Sequence, residues 1–294
     1  MKRKLRFAIA LTFIIMLLEA AGGIFTGSLA LLADAGHVFM DVFALSLSLM
    51  ALSLADIQPD KKKTYGWHRA EVFAAFINGC ALVLISLTIL REAYQRILEP
   101  SEVLPFQMLA VAAAGLIVNL VVARQLHSHD RHDLNVRSAY FHVISDILGS
   151  VVVIAGAVII GLTGIYIIDP VLSAVISVLI LAGSIRILRE SLNILLEGVP
   201  FGIKLDELAG EMSRIDGVNN VHDLHIWSVC SHIVSLSCHV VIREEDAGRR
   251  DEIICSLRNM LWKKFHIRHS TIEVDGKACS LELISKDLAH DGHH

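Results

Sequence analysis

The chain has 294 residues, of which 54% are hydrophobic, and its mean hydropathy is +0.59. Soluble proteins of this size are rarely so apolar, so the composition indicates a membrane protein whose last third is a soluble domain. The net charge of -4 argues against nucleic acid as a partner. Five cysteines in no paired pattern give no disulfide framework, and 15 histidines are unusually many.

Apolar segments of about 20 residues, the length that crosses a bilayer, follow one another through the first two thirds of the chain. A short glycine-containing link that ends at Ser28 separates the first two. Asp169 is expected to cap the sixth helix, with Pro170 in its first turn. The six predicted spans are Phe7–Phe25, Leu31–Leu54, Val72–Leu90, Val103–Val122, Ala139–Ile160 and Pro170–Leu188.

Lysine and arginine near the ends of the spans predict the orientation, because cytoplasmic loops carry an excess of both. They cluster at the N-terminus, in the loops after the second and fourth spans, and after the sixth span, all on one side. The opposite loops hold only Arg91 and Arg96, offset by acidic neighbours. We therefore expect a multi-pass protein of the cytoplasmic membrane with both termini in the cytoplasm. The clustered residues are Lys2, Arg3, Lys4, Arg6, Lys61, Lys62, Lys63, Arg69, Arg124, Arg131, Arg137, Arg186 and Arg189.

The last third predicts the order helix, strand, strand, helix, strand, which is that of a small α+β sandwich. Alternating apolar residues mark the strands. In the second strand Cys238 alternates with core positions, so we expect it in the core and His239 on the opposite face. The predicted elements are Ile203–Ile215, Val221–Trp227, Val234–Ile242, Gly248–Phe265 and Thr271–Asp275.

Two apolar spans each contain a histidine followed four residues later by an aspartate: His37 with Asp41, and His142 with Asp146. A spacing of four puts both side chains on one helix face. Ionisable groups are expensive in hydrocarbon, so they face a partner, an ion or water. Two imidazoles and two carboxylates form the ligand set of a tetrahedral divalent metal site. The alternative is interhelical hydrogen bonding that holds the bundle together. Asp34, one turn earlier, is expected nearer the aqueous end.

These pairs belong to longer motifs that resemble the cation diffusion facilitator family of zinc transporters. The resemblance covers nearly the whole chain and includes the runs SLALLADAGH from Ser28, YGWHRAE from Tyr65 and HDLHIW from His222. It implies a membrane α-helical bundle of six transmembrane helices with a C-terminal cytoplasmic ferredoxin-like α+β domain, assembled as a homodimer. Members of the family exchange divalent metal for protons. The resemblance therefore implies a proton-coupled exporter of Zn²⁺.

The resemblance also implies metal ligands in both parts of the chain. Zinc accepts imidazole and carboxylate in four-coordinate geometry, whereas calcium or magnesium would need more oxygens. Ligands must be deprotonated to bind metal, so a site that holds either metal or protons can couple the two movements. A histidine at the first position is typical of zinc preference in the family. The implied ligands are His37, Asp41, His142 and Asp146 in the membrane, and His222, His239, His269 and Asp275 in the C-terminal domain.

Several other polar residues keep two interpretations open. The histidines between the fourth and fifth spans either belong to a solvated loop or collect metal at the cytoplasmic entrance. Cys279 either joins the C-terminal site or is a free thiol. His68 has few possible ligands within its own loop, so we expect no full site there. The loop histidines are His127, His129 and His132. Three polar residues within the spans either tie helices together or line the path: Glu19, Asn78 and Asn119.

We expect three regions: a transport domain over 1–198, a metal-binding cytoplasmic domain over 199–285 and a flexible histidine-containing tail over 286–294. A broader exporter of cadmium, cobalt or nickel is the alternative of the same class. A membrane metal sensor is the alternative of another class, because a sensor moves no ion. An intramembrane metallohydrolase is disfavoured, since the sequence has no His-Glu-x-x-His motif and four protein ligands leave no position for water. We therefore expect a transporter and not an enzyme.

Overall fold

The structure, a computed structural model, describes residues 2–54, 61, 63–127 and 134–275. They form two compact units. The first unit lies within 1–58 and 74–189 and is helical. The second lies within 59–73 and 190–294 and contains a three-stranded sheet.

Long apolar helices coincide with the predicted spans. Within the described residues, four helical stretches are long and apolar enough to cross a membrane: Ile9–Thr26, His68–Leu98, Asp146–Thr163 and Ile168–Leu195. Pro105–Val121 is a shorter apolar stretch. The helices are α1 Lys2–Thr26, α2 Leu29–Leu54, α3 His68–Leu98, α4 Pro105–His127, α5 Leu134–Thr163 and α6 Ile168–Leu195.

The fourth and sixth helices begin differently from their predicted spans. The fourth begins at Pro105, two residues later than expected, because proline has no N–H to contribute and suits the first helical position. The sixth begins at Ile168, so Asp169 lies inside its first turn instead of capping it from outside.

The Asp169 carboxylate caps α2 instead of its own helix. Oδ1 accepts hydrogen bonds from the Ser28 hydroxyl (2.5 Å) and from the backbone N–H of Ala30 (3.2 Å), and Oδ2 accepts one from the N–H of Leu29 (2.7 Å). Ser28 Oγ in turn accepts a bond from the N–H of Leu31 (3.2 Å). These N–H groups lack partners within α2, so a buried carboxylate at this end satisfies them and complements the helix dipole.

The connection between α1 and α2 is short. Gly27 adopts a φ of +72°, a left-handed conformation that glycine reaches without steric cost. The guanidinium of Arg96 donates a hydrogen bond to the Gly27 carbonyl, and the N–H of Leu104 bonds to the Thr26 carbonyl at 3.0 Å. These contacts fix the chain before α2 begins.

The second unit confirms the predicted order helix, strand, strand, helix, strand. Its elements are α7 Leu205–Ser213, β1 Val218–Cys230, β2 Ile233–Ile242, α8 Arg250–Phe265 and β3 His269–Asp275, with a 3₁₀ turn at Glu244–Arg249 before α8. Strands β1 and β2 are antiparallel, and β2 and β3 are parallel, which requires the crossover through α8. The helices cover one face of the sheet, and the core between them includes Leu208, Met212, Leu236, Val240, Leu257 and Leu261.

Register in this sheet sets which residues meet. His222 of β1 is paired directly with His239 of β2. A β-bulge follows between His222 and His225, where Asp223 has a φ of +48°. Such a bulge re-aims side chains without ending the strand pairing.

The capping role of Asp169 predicts a loss of stability on truncation. Asp169→Ala leaves the Ser28 hydroxyl and the N–H groups of Leu29 and Ala30 without their acceptor, so we expect unfolding to become easier by about 2 kcal/mol. Thermal unfolding of the purified protein in detergent measures this. Glu99→Ala removes an exposed carboxylate and should leave the transition unchanged. Equal transitions for the Asp169 variant and the parent would contradict the assignment.

Candidate metal centres

The first cluster joins α2 and α5. His37 and Asp41 lie one turn apart on α2, and Asp146 lies on α5. Their candidate ligand atoms all fall within 4.8 Å of one another. Asp41 is 3% exposed and Asp146 is 8% exposed. Two buried carboxylates and a partly exposed imidazole are therefore held together, and His37 and Asp41 share one face of α2.

The separation of the facing atoms is compatible with two ligands of one metal ion. Nε2 of His37 lies 3.5 Å from Oδ1 of Asp146. A good N–H···O bond is shorter, about 2.7–3.2 Å. With metal–ligand bonds of about 2.0–2.2 Å and tetrahedral angles, two atoms bound to one Zn²⁺ lie roughly 3.4 Å apart. The observed distance matches the second geometry, so the donor set and its spacing both fit a tetrahedral cation.

The structure describes two further residues near this site, His142 and Asp34, to different extents. His142 lies on α5 one turn before Asp146, but its side chain is outside the described part of the structure. Asp34 is 4% exposed, and a Cβ at Gly149 would lie 3.5 Å from its Oδ1. That distance is an ordinary van der Waals contact, so α5 packs next to the Asp34 carboxylate. Asp34 is therefore a buried neighbour of the cluster.

A further buried carboxylate lies between α1 and α4. Glu19 is 1% exposed, and its Oε2 has no hydrogen-bond partner among the described residues. A Cβ at Gly115 would come within 2.5 Å of Oε1, so a larger residue there would require the Glu19 carboxylate to move. Asn78 and Asn119 are also buried, at 5% and 7% exposure.

The second cluster lies on the sheet of the second unit. His222, His239 and Asp275, one from each strand, bring their candidate ligand atoms within 4.8 Å of one another. Oδ2 of Asp275 lies 3.0 Å from Nδ1 of His239 and 3.4 Å from Nε2 of His222. The two imidazole rings are stacked with centroids 5.3 Å apart.

His222 shows why this cluster fits a cation. Its side chain is 4% exposed, yet neither ring nitrogen forms a hydrogen bond within the described residues. A buried polar group without a partner costs free energy, so it calls for an explanation such as a bound ion. The 3.4 Å separation from Asp275 again matches two ligands of one tetrahedral ion.

His269 does not join this cluster. It begins β3 and shares a strand face with Asp275, because six residues separate them and faces alternate every second residue. Six residues of strand span roughly 20 Å, so the two side chains lie too far apart to bind one ion. His269 instead makes an edge contact with the ring of Tyr65, with centroids 6.2 Å apart.

Sequence analysis missed Asp223, which the β-bulge turns toward the histidines. Its Oδ1 lies 3.1 Å from Nε2 of His225, and its Oδ2 lies 3.7 Å from Nε2 of His239. The sequence signal was the aspartate directly after His222. Regular alternation would have placed it on the opposite face from His222, and only the bulge changes that.

Cys238 lies in the core, as its alternation predicted. It is 1% exposed, and burial raises the pKa of its thiol to about 12. Cys279, His129 and His132 lie outside the described residues. His127 ends α4, without a described side chain.

Comparison with known families matches almost the whole chain. Residues 5–196 match the model of the cation efflux transmembrane domain, and residues 200–277 match that of the cation efflux protein cytoplasmic domain.

Three relatives are similar over most of their length. The metal cation efflux system protein CzcD of Cupriavidus metallidurans is 41% identical over 95% of this chain and 88% of its own. The cadmium, cobalt and zinc/H(+)-K(+) antiporter of Bacillus subtilis is 40% identical over 90% of this chain and 85% of its own. The zinc transporter ZitB of Escherichia coli is 39% identical over 99% of this chain and 94% of its own.

The burial of Cys238 predicts its reactivity. The thiolate is the reactive form, so a thiol that is 1% exposed with a pKa raised to about 12 should resist alkylation at mildly alkaline pH. Cys255, exposed on α8, should react quickly. Iodoacetamide labelling followed by peptide mass spectrometry compares the two, and denaturant should make both react. Equal labelling in the folded protein would contradict the core position.

Proposed function

Since this chain belongs to the cation efflux family of membrane transporters, we propose that it exports Zn²⁺ from the cytoplasm in exchange for protons. The observation that carries the proposal is the convergence of His37, Asp41 and Asp146 between two apolar helices, at separations suited to one tetrahedral ion. His142, one turn from Asp146 on α5, supplies the fourth ligand.

Zinc is the preferred cargo because of the donor set. Imidazole nitrogen and carboxylate oxygen in a four-ligand site suit zinc, and magnesium or calcium would need more oxygen ligands. The names of the similar proteins include zinc in two cases, together with cadmium and cobalt in one of them. Export of cadmium or cobalt by the same site is the alternative, because geometry and availability decide among such cations more than affinity does.

Proton coupling follows from the same ligands. Imidazole and carboxylate must lose protons before they bind a cation, so metal binding releases protons and protonation releases metal. A site that opens to the two sides in turn therefore exchanges one for the other. Imidazole titrates in the physiological range, so a modest proton gradient is enough to influence occupancy.

The C-terminal domain has a regulatory part in this proposal. It lies in the cytoplasm, as the lysines and arginines at the ends of the spans favour, and it pairs two chains into a homodimer. Cytoplasmic zinc bound by His222, His239 and Asp275 stabilises the form that transports. The ligand set omits His269 because of its position on β3.

The transport site predicts that Asp146→Ala will abolish flux. The variant loses one anionic ligand, and we expect zinc transport to fall by on the order of 100-fold or more, since even outer-shell partners are worth up to that much. Zinc uptake into proteoliposomes with an imposed pH gradient measures the effect. The parent should lose uptake when the gradient is collapsed.

Ser184→Ala is the matched control, because it removes another buried polar group of the membrane unit, one that bonds to the Ile180 carbonyl of its own helix, without removing a proposed ligand. It should retain most of the flux. Near-normal flux in Asp146→Ala would refute the site, and flux that ignores the pH gradient would refute the coupling.

The C-terminal site predicts that zinc stabilises the folded protein separately from its transport. With zinc at roughly 100 times its Kd, binding to the folded form alone stabilises the parent by about 2.7 kcal/mol. His239→Ala should remove most of this zinc-dependent stabilisation while reducing transport only in part. Thermal unfolding with and without zinc measures this. Both proteins also carry Asp146→Ala and His232→Asn, which remove ligands from the other two candidate metal groups. Equal stabilisation in both proteins would overturn the ligand set.

A further inference from the structure

A third cluster of ligands lies in the second unit and shares no residue with the two sites described above. It combines His68, the first residue of α3, with Cys230 and His232 at the β1–β2 hairpin. Their candidate ligand atoms all fall within 4.8 Å of one another. The sequence offered few ligands for His68 within its own loop, and the two that join it here come from the β1–β2 hairpin, far along the chain.

The hairpin holds its two ligands rigidly. Cys230 ends β1 and is paired with Ile233 at the start of β2, so only Ser231 and His232 form the turn. A two-residue turn leaves little conformational freedom. Cys230 is fully buried, whereas His232 is exposed at the tip.

The distances within the cluster suit coordination. Sγ of Cys230 lies 3.5 Å from Nδ1 and 3.7 Å from Nε2 of His232. With Zn–S of about 2.3 Å and Zn–N of about 2.0–2.1 Å, a sulfur and a nitrogen bound to one tetrahedral ion lie roughly 3.6 Å apart. The rings of His68 and His232 meet edge to face, with centroids 5.7 Å apart.

Polar atoms around the cluster are left without partners. Nδ1 of His68 and Oε2 of Glu71 are buried and form no hydrogen bond within the described part of the chain. Glu71 lies one turn after His68 on α3, and its Oε1 accepts a hydrogen bond from the Ser231 hydroxyl at 3.1 Å. A cation here satisfies the His68 nitrogen and places compensating charge near the Glu71 carboxylate.

We propose that His68, Cys230 and His232 form a third metal site that takes a thiolate-seeking divalent cation such as Zn²⁺, Cd²⁺ or Co²⁺. One thiolate and two imidazoles bind such ions, with a fourth position left for water. A bound ion links the first turn of α3 to the β1–β2 hairpin. The site is independent of the transport ligands, so it can exist whichever cation the protein exports.

Cobalt provides a direct test, because a thiolate bound to Co²⁺ gives a charge-transfer absorption that imidazole and carboxylate ligands do not. The full-length protein in detergent, freed of metal by a chelator, should develop this absorption on titration with Co²⁺. Cys230→Ser should abolish it. His232→Asn and His68→Gln should each weaken cobalt binding by roughly 10- to 100-fold or more. Loss of a residue that only supports a ligand already costs that much, and these two residues are ligands themselves.

Matched controls use cysteines and a histidine elsewhere in the same part of the chain. Cys255→Ser, Cys279→Ser and His266→Asn should all keep the absorption, and His266 already has the left-handed φ of +55° that asparagine tolerates. Because Cys230 is buried, its variant must show an unchanged melting temperature without metal, and the exposed His232 supplies a second variant if it does not. The proposal would be overturned by no absorption in the parent at saturating Co²⁺, by survival of the absorption in Cys230→Ser, or by its loss in Cys279→Ser. It would also be overturned if both histidine variants bound Co²⁺ as tightly as the parent.

Discussion

Burial of carboxylates among apolar helices is the constraint on which the membrane unit depends. Asp41 and Asp146 are both more than nine-tenths buried, and removing a carboxylate from water is expensive unless a cation, a donor or a proton compensates. Helices α2 and α5 must therefore pack closely enough for one ion or proton to serve both groups. Gly149 of α5 lies next to the Asp34 carboxylate of α2, and the Asp169 cap satisfies the first N–H groups of α2.

Local periodicity accounts for what the sequence could predict. The four-residue spacing of His37 and Asp41 specifies a shared helix face, and the alternation around Cys238 specifies a core position, because both depend only on regular backbone geometry. Local periodicity does not predict contacts between distant residues or irregular backbone. The Asp169 cap joins residues 140 apart in the chain. The turn of Asp223 toward His239 depends on a bulge, and the distance of His269 from its expected partners depends on strand length.

The three clusters differ in how firmly their donors hold an ion. The membrane cluster offers only imidazole and carboxylate, and a transport site must release its cargo as well as bind it. Thiolate, the donor that holds zinc and cadmium most strongly, is found in the cluster at the β1–β2 hairpin and not among the proposed transport ligands. The sheet cluster of His222, His239 and Asp275 offers the same donor types as the membrane cluster.

The Asp169 cap also restricts how the bundle can move. Three hydrogen bonds tie the start of α6 to the start of α2, the helix that carries His37 and Asp41. A rearrangement that turned these ligands from one side of the membrane to the other has two possible outcomes. Either both helix ends move together, or the buried N–H groups lose their hydrogen bonds in an apolar environment. The start of α6 and the start of α2 therefore move together in any such rearrangement.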